Sequence, residues 1–76
     1  MKALVTYLVQ NLVQEPDHVD VREAERDRVT VFEVRVAEGD RGRLIGKEGR
    51  TIRSVRTLVG AAALREKKRA TVEVVE

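Results

Sequence analysis

Leu4, Val5, Leu8, Val9, Leu12 and Val13 recur at spacings of one, three and four along the first stretch of the chain. That period predicts an amphipathic helix over Ala3 to Gln14 with a broad apolar stripe. Glu15-Pro16 should end it, because the residue before a proline is pushed out of helical geometry. The pattern then changes to alternation. Val19-Asp20-Val21-Arg22 reads as a short strand, Glu23 to Arg28 as a polar connection, and Val29 to Val36, β-branched and alternating, as a second and stronger strand. The two runs are expected to pair as a hairpin.

After the breaker Glu38-Gly39-Asp40, Asp40 is placed to cap a short helix from Arg41 to Ile45. Gly46 then suits the left-handed position that ends helices. A longer helix is expected from Gly49 or Arg50 to about Glu66. Its apolar face carries Ile52, Val55, Val59, Ala62 and Ala63, and another face carries Arg50, Arg53 and Arg56 at helical spacing. Ala70 to Val75 closes the chain as an alternating strand.

This α-β-β-α-α-β order limits the fold. A strand, a helical crossover and a further strand in one sheet pair in parallel with right-handed connection, and the first strand adds antiparallel on the other edge. The expected architecture is α+β and two-layered: a three-stranded mixed sheet with three helices on one face. Phe32, Val34 and Val36 should face the helices, with Val72 and Val74 beside them. No linker, repeat or low-complexity tract divides residues 1–76, so a single domain is expected.

Charge changes the picture. Residues 1–40 hold five Lys/Arg against nine Asp/Glu, whereas residues 41–76 hold ten against four. The cationic half is the one that a polyanion-binding face would need. Arginine outnumbers lysine 11 to 4, which fits phosphate recognition. There is no cysteine, so disulfides and thiolate metal sites are excluded. The one histidine, His18, beside Pro16 and Asp17, reads as an exposed turn residue without a catalytic or metal-binding partner. Neither a Ser/His/Asp set nor a Cys/His pair exists, so no enzyme activity, metal or cofactor is expected. No apolar run approaches the ~20 residues of a membrane span, and the first residues lack the pattern of a signal peptide.

The sharpest local signal is Leu44-Ile45-Gly46-Lys47-Glu48-Gly49-Arg50-Thr51-Ile52, with two glycines three residues apart. It is not a P-loop. Gly42 to Gly46 is one residue too short, and Glu48 stands where Ser or Thr is required. Nor is it a dinucleotide fingerprint, since Gly-x-Gly never occurs. Two glycines leave the backbone bare just before a helix whose amino terminus presents N–H groups to an anion. Lys47 adds a charge, and Glu48 is tolerable there only if it points to solvent.

This run resembles the Ile-Gly-x-x-Gly-x-x-Ile core of the KH domain, and the element order matches its type II arrangement across essentially the whole chain. The size and the sequence Arg43 to Arg50 are similar to the short bacterial single-KH proteins. The resemblance implies that Gly46, Lys47, Glu48 and Gly49 clamp the backbone of about four nucleotides of single-stranded RNA. Ile45 and Ile52 would belong to the apolar groove beside the clamp, and Gly42 would match a small residue in the helix before it. Arg43, Arg50 and Arg53 join the candidate site on charge and spacing, as does Arg41. With only Tyr7 and Phe32 as aromatics, a base-stacking platform is disfavoured and sequence preference should be modest. The resemblance further implies a cytoplasmic RNA chaperone linked to cell shape and cell division. It implies a heterodimer with a Jag-type KH protein as well, while the broad apolar stripe of the first helix suggests a homodimer contact. Against this stand a KH-like protein-interaction or dimerisation module and a single-stranded DNA binder.

Overall fold

The computed structural model describes residues 1–76. In chain order it contains α1 (Lys2–Gln10), β1 (Asp20–Arg26), β2 (Val29–Arg35), α2 (Arg41–Ile45), α3 (Arg50–Arg65) and β3 (Ala70–Val74). Single 3-10 turns lie at Pro16–His18, Glu38–Asp40 and Lys47–Gly49. The strand order is β1-β2-β3. β1 pairs antiparallel with β2, from Asp20 opposite Arg35 to Arg26 opposite Val29. β2 pairs in parallel with β3, with Phe32 opposite Val72 and Val34 opposite Val74. This is the expected two-layer α+β fold of type II KH order, with a mixed sheet and its helices on one face.

The period-2 pattern of the sheet and the 3.6 pattern of the helices meet in one core. Val21, Phe32, Val34 and Val72 from the sheet pack with Val5 and Val9 of α1, Leu44 of α2, and Ile52, Val55 and Val59 of α3. Val36 and Val74 pack at its margin, partly buried.

Two boundaries differ from the expectation, each for a physical reason. α1 stops at Gln10, not Gln14. The Asn11 side chain donates to the Tyr7 carbonyl at 2.8 Å. Beyond it, the N–H groups of Gln14 and Glu15, which a continuing helix would need, are engaged by the Asp40 carboxylate instead. β1, conversely, runs on through the polar segment to Arg26. An edge strand with one face in solvent has no need of apolar residues there. Glu23 to Arg26 find regular partners in β2, and Arg26 reaches Glu33 at 2.8 Å and Glu73 at 3.4 Å. The hairpin closes in two residues, Asp27 (φ 51) and Arg28 (φ 67). Both lie in the positive-φ geometry that matches strand twist in a two-residue turn.

Phe32 is the largest fully buried side chain. Phe32→Ala should lower unfolding stability by about 3–5 kcal/mol, a large share of the total for a domain of this size. Arg22→Ala, on the exposed part of β1, should stay within about 0.5 kcal/mol. Urea denaturation of the two variants against the parent measures both.

Candidate nucleic-acid interface

The crossover from β2 to β3 carries the loop. α2 ends where the Gly46 N–H donates to the Gly42 carbonyl at 2.8 Å, and the Gly49 N–H donates to the Gly46 carbonyl at 3.1 Å to close the next turn. Gly46 has φ 79 and ψ 173. Its φ is positive as expected, but its ψ is extended, so it is not the left-handed helix stop that the sequence suggested. That region is open essentially to glycine alone. A Cβ at Gly46 would also overlap the Thr51 side chain and lie 2.9 Å from its backbone nitrogen. The fold itself therefore demands this glycine. Gly49, at φ 74 and ψ 16, is the left-handed residue, and a Cβ there would meet only the Arg53 guanidinium, at 3.8 Å. Glu48 between them is left-handed as well, at φ 57 and ψ 26.

α3 begins immediately after this turn. No side chain caps its amino terminus, and its first turn holds no acidic residue. The Arg50 N–H donates to the Lys47 carbonyl of the preceding turn, and the positive end of the helix dipole lies beside the loop.

Around this point the sequence-predicted residues are brought together, though not all in the expected role. Lys47 is exposed and makes no ion pair. Glu48 is exposed, and its carboxylate lies 3.6 Å from the Arg50 guanidinium. Between such exposed groups the pair contributes about 0–1 kcal/mol. Arg53 donates through Nη2 to the Glu48 carbonyl at 2.9 Å. Ile45 is exposed at 37%, but Ile52 is buried at 5%. Ile52 is thus part of the hydrophobic core, while Ile45 lies at the surface. Gly42 is exposed, with open space where a Cβ would sit. Arg41 approaches Glu76 at 3.9 Å. Shallow grooves continue along α3: one is lined by Arg50, Arg53, Ser54, Thr57 and Leu58. Another, between α3 and the start of β3, includes Arg56, Thr57, Gly60, Leu64 and Ala70. Arg56 spans from α3 to the sheet edge, donating to the Val72 carbonyl at 2.8 Å. Sequence spacing placed Arg56 with Arg50 and Arg53 but did not mark it as a bridge between layers.

Asp40 has a larger part than the helix cap expected of it. Its side chain makes no capping bond to α2. It is the only buried charged residue, and it accepts hydrogen bonds from the Gln14 N–H at 3.1 Å and the Glu15 N–H at 3.0 Å. The Arg43 guanidinium lies 3.5 Å away. One carboxylate thus ties the end of the α1 segment to the start of the crossover and holds Arg43 beside the loop. The Gln14 N–H chiefly holds the Asp40 carboxyl below its usual range; burial opposes this, while the Glu15 N–H and Arg43 add to it. The sequence carries no signal for these partners, which are 25 and 26 residues away.

A model of the KhpA/KhpB KH domain matches residues 2–74. The chain belongs to this family. It is 41% identical over 76 residues to the RNA-binding protein KhpA of Chlamydia trachomatis, covering 100% of this chain and 97% of that protein. It is 45% identical over 75 residues to the RNA-binding protein KhpA of Caldanaerobacter subterraneus subsp. tengcongensis, covering 99% and 100%. Among solved structures, an Era variant of Aquifex aeolicus bound to GDP.AlF4- superposes with a TM-score of 0.71 over 96% of this KhpA/KhpB-family chain. At 20% identity, and with the chain spanning 28% of the Era chain, that likeness concerns the fold. No helix is long and apolar enough to cross a membrane.

The bonds to Asp40 yield a pH prediction. A carboxyl with a lowered pKa in the folded state stabilises fully above its unfolded value, about 3.9, and loses that contribution as pH falls through the lowered value. Asp40→Asn should therefore melt at a lower temperature than the parent at pH 7. The gap should narrow below about pH 4, as thermal melts across pH 2.5–7 would show. A gap that stayed constant would mean that the charge of Asp40 does not contribute.

Proposed function

We propose that this KhpA/KhpB-family chain binds single-stranded RNA, with the sugar–phosphate backbone laid across the Gly46–Gly49 loop and the amino terminus of α3. The observation that carries this reading is the uncapped helix end beside the unpaired Lys47, with the neighbouring carboxylates already occupied. Asp40 is turned inward onto backbone N–H groups, and Glu48 is matched by Arg50. An anion approaching the loop thus meets N–H dipoles and cationic charge without a free carboxylate in front of it. The name RNA-binding protein carried by the 41% and 45% identical relatives supports the same reading.

Sequence preference is modest on this reading. Phe32 is buried in the core, so no aromatic platform exists on the sheet for stacking bases. Aliphatic contact comes from Ile45 and the α3–β3 groove, and such contacts discriminate bases weakly. Weak, sequence-tolerant binding in the cytoplasm suits an RNA chaperone. Single-stranded DNA is the competitor ligand, because the loop offers nothing that visibly reads a 2′-hydroxyl.

A second reading rests on a separate surface. Leu4 and Leu8 of α1 form an apolar groove with Leu58, Ala61, Ala62 and Arg65 of α3. Leu58 stays 56% exposed and Tyr7, on α1, 63%. The apolar stripe of α1 is divided: Val5 and Val9 enter the core, leaving Leu4 at the surface. We infer pairing through this groove with a second copy or with another KH protein, of the Jag type. Sedimentation of the parent over a range of concentrations should show a dimer that Leu58→Glu abolishes. A monomer throughout would remove the self-pairing.

For RNA, about three phosphate contacts should give a log–log salt slope on the order of −2, at about 0.7 per contact. The double substitution Lys47→Asp with Glu48→Asp places two carboxylates at the loop. Stability should change by no more than about 0.5 kcal/mol, while RNA binding should fall below detection. Arg22→Ala, on the exposed part of the edge strand β1, should leave binding unchanged. A salt slope near zero, or a folded double variant that binds as the parent does, would overturn the reading.

A further inference from the structure

Arg53 stands among the exposed cations around the loop, yet one nitrogen of its guanidinium is bound to the chain itself. Nη2 donates to the Glu48 carbonyl at 2.9 Å, reaching back from the first turn of α3 to the loop that precedes it. The loop has need of such a bond. Glu48 adopts φ 57 and ψ 26 without being glycine, and Gly49 follows it into the left-handed region at φ 74 and ψ 16. Two short-range backbone hydrogen bonds close the turn, Gly49 N–H to the Gly46 carbonyl at 3.1 Å and Arg50 N–H to the Lys47 carbonyl, and neither engages the Glu48 carbonyl. A non-glycine residue in this region carries a conformational penalty and persists where its surroundings over-determine it. A charge-assisted bond from a planar guanidinium to the carbonyl of that same residue is one such determinant.

We propose that Arg53 is a positioning residue that latches the Glu48 carbonyl, holding the Gly46–Gly49 loop in its consecutive left-handed turn so that the loop is preformed for a phosphodiester backbone. The proposal rests on the RNA-binding reading for its purpose, but the latch itself is a property of the free protein. Arg50 differs: its partner is the Glu48 side chain at 3.6 Å, a contact that leaves the backbone unconstrained.

Two measurements separate the latch from an ordinary phosphate contact. In the free protein, Arg53→Ala should speed exchange of the Gly49 amide hydrogen about tenfold by nuclear magnetic resonance, since opening of the turn exposes that donor. Arg65→Ala, remote from the loop, should leave it unchanged. In a titration with single-stranded oligoribonucleotide, Arg53→Ala should weaken binding about tenfold with the salt slope of the parent. Glu48→Gly, which relieves the left-handed penalty, should recover most of that loss in the Arg53→Ala background. Glu48→Gln, which removes the same charge but keeps a side chain at the strained position, should not. A slope shallower by about 0.7, the share of one phosphate, together with unaltered Gly49 exchange, would overturn the latch and make Arg53 a phosphate ligand. Should the parent bind no RNA, the RNA-binding reading fails alone, and the Gly49 exchange rate still decides whether Arg53 holds the turn.

Discussion

Parallel pairing between β2 and β3 cannot be closed by a hairpin. It requires a crossover of a dozen or more residues packed on one face of the sheet, and here that crossover is α2, the glycine loop and α3. The functional candidate is therefore the joint inside an obligatory connection, not an appendage to the fold. Because α3 returns antiparallel to both strands, its amino terminus lies at the carboxyl end of β3, where Arg41 meets Glu76. Its middle lies over the sheet edge, where Arg56 meets the Val72 carbonyl. The same geometry buries Ile52, Val55 and Val59 on one side of α3 and turns Arg50, Arg53 and Thr57 outward. Core and cationic face are two sides of one helix.

Rigidity at the joint comes from contacts that cross between elements. Asp40 fastens the end of the α1 segment to the start of the crossover, and Thr51 packs where any side chain at residue 46 would have to sit. These contacts fix the entry and the exit of the loop, and the Arg53 bond to the Glu48 carbonyl braces the turn between them. A preformed anion site forfeits less ordering entropy on binding than a flexible one. On the proposed RNA-binding reading, with few base-specific contacts, that difference matters most.

Periodicity makes the core legible in the amino-acid sequence. Alternation places Phe32 and Val34 against the helices, the 3.6 period places Val55 and Val59 opposite them, and the parallel β2–β3 pair follows from chain connectivity. What escapes is fixed by contacts distant in sequence. The end of α1 depends on a carboxylate 25 or more residues away, which no local pattern reports. β1 reads as shorter than it is because Glu23 to Arg26 lack apolar alternation, yet an edge strand needs only a partner for its backbone. At the site, the pattern Gly-x-x-Gly and its cations are visible, but their division of labour is not. Ile52 proves to be core, Asp40 a long-range tie, and Arg53 a donor to the loop carbonyl.

The carboxylate between the two glycines remains the residue most at odds with a phosphate site, and its surroundings account for it. Glu48 cannot be judged as an isolated negative charge, because Arg50 lies 3.6 Å from its carboxylate and both side chains are largely exposed. In high dielectric such a pair contributes little, about 0–1 kcal/mol. Exchanging Arg50 from Glu48 to a phosphate would therefore cost little, and the displaced carboxylate would be screened over about 8–10 Å. The backbone of Glu48 is another matter. Its left-handed conformation turns its carbonyl toward Arg53 and carries the chain into the exposed start of α3. Its side chain is thus of small consequence to an anion, and its main chain is what shapes the surface an anion would meet.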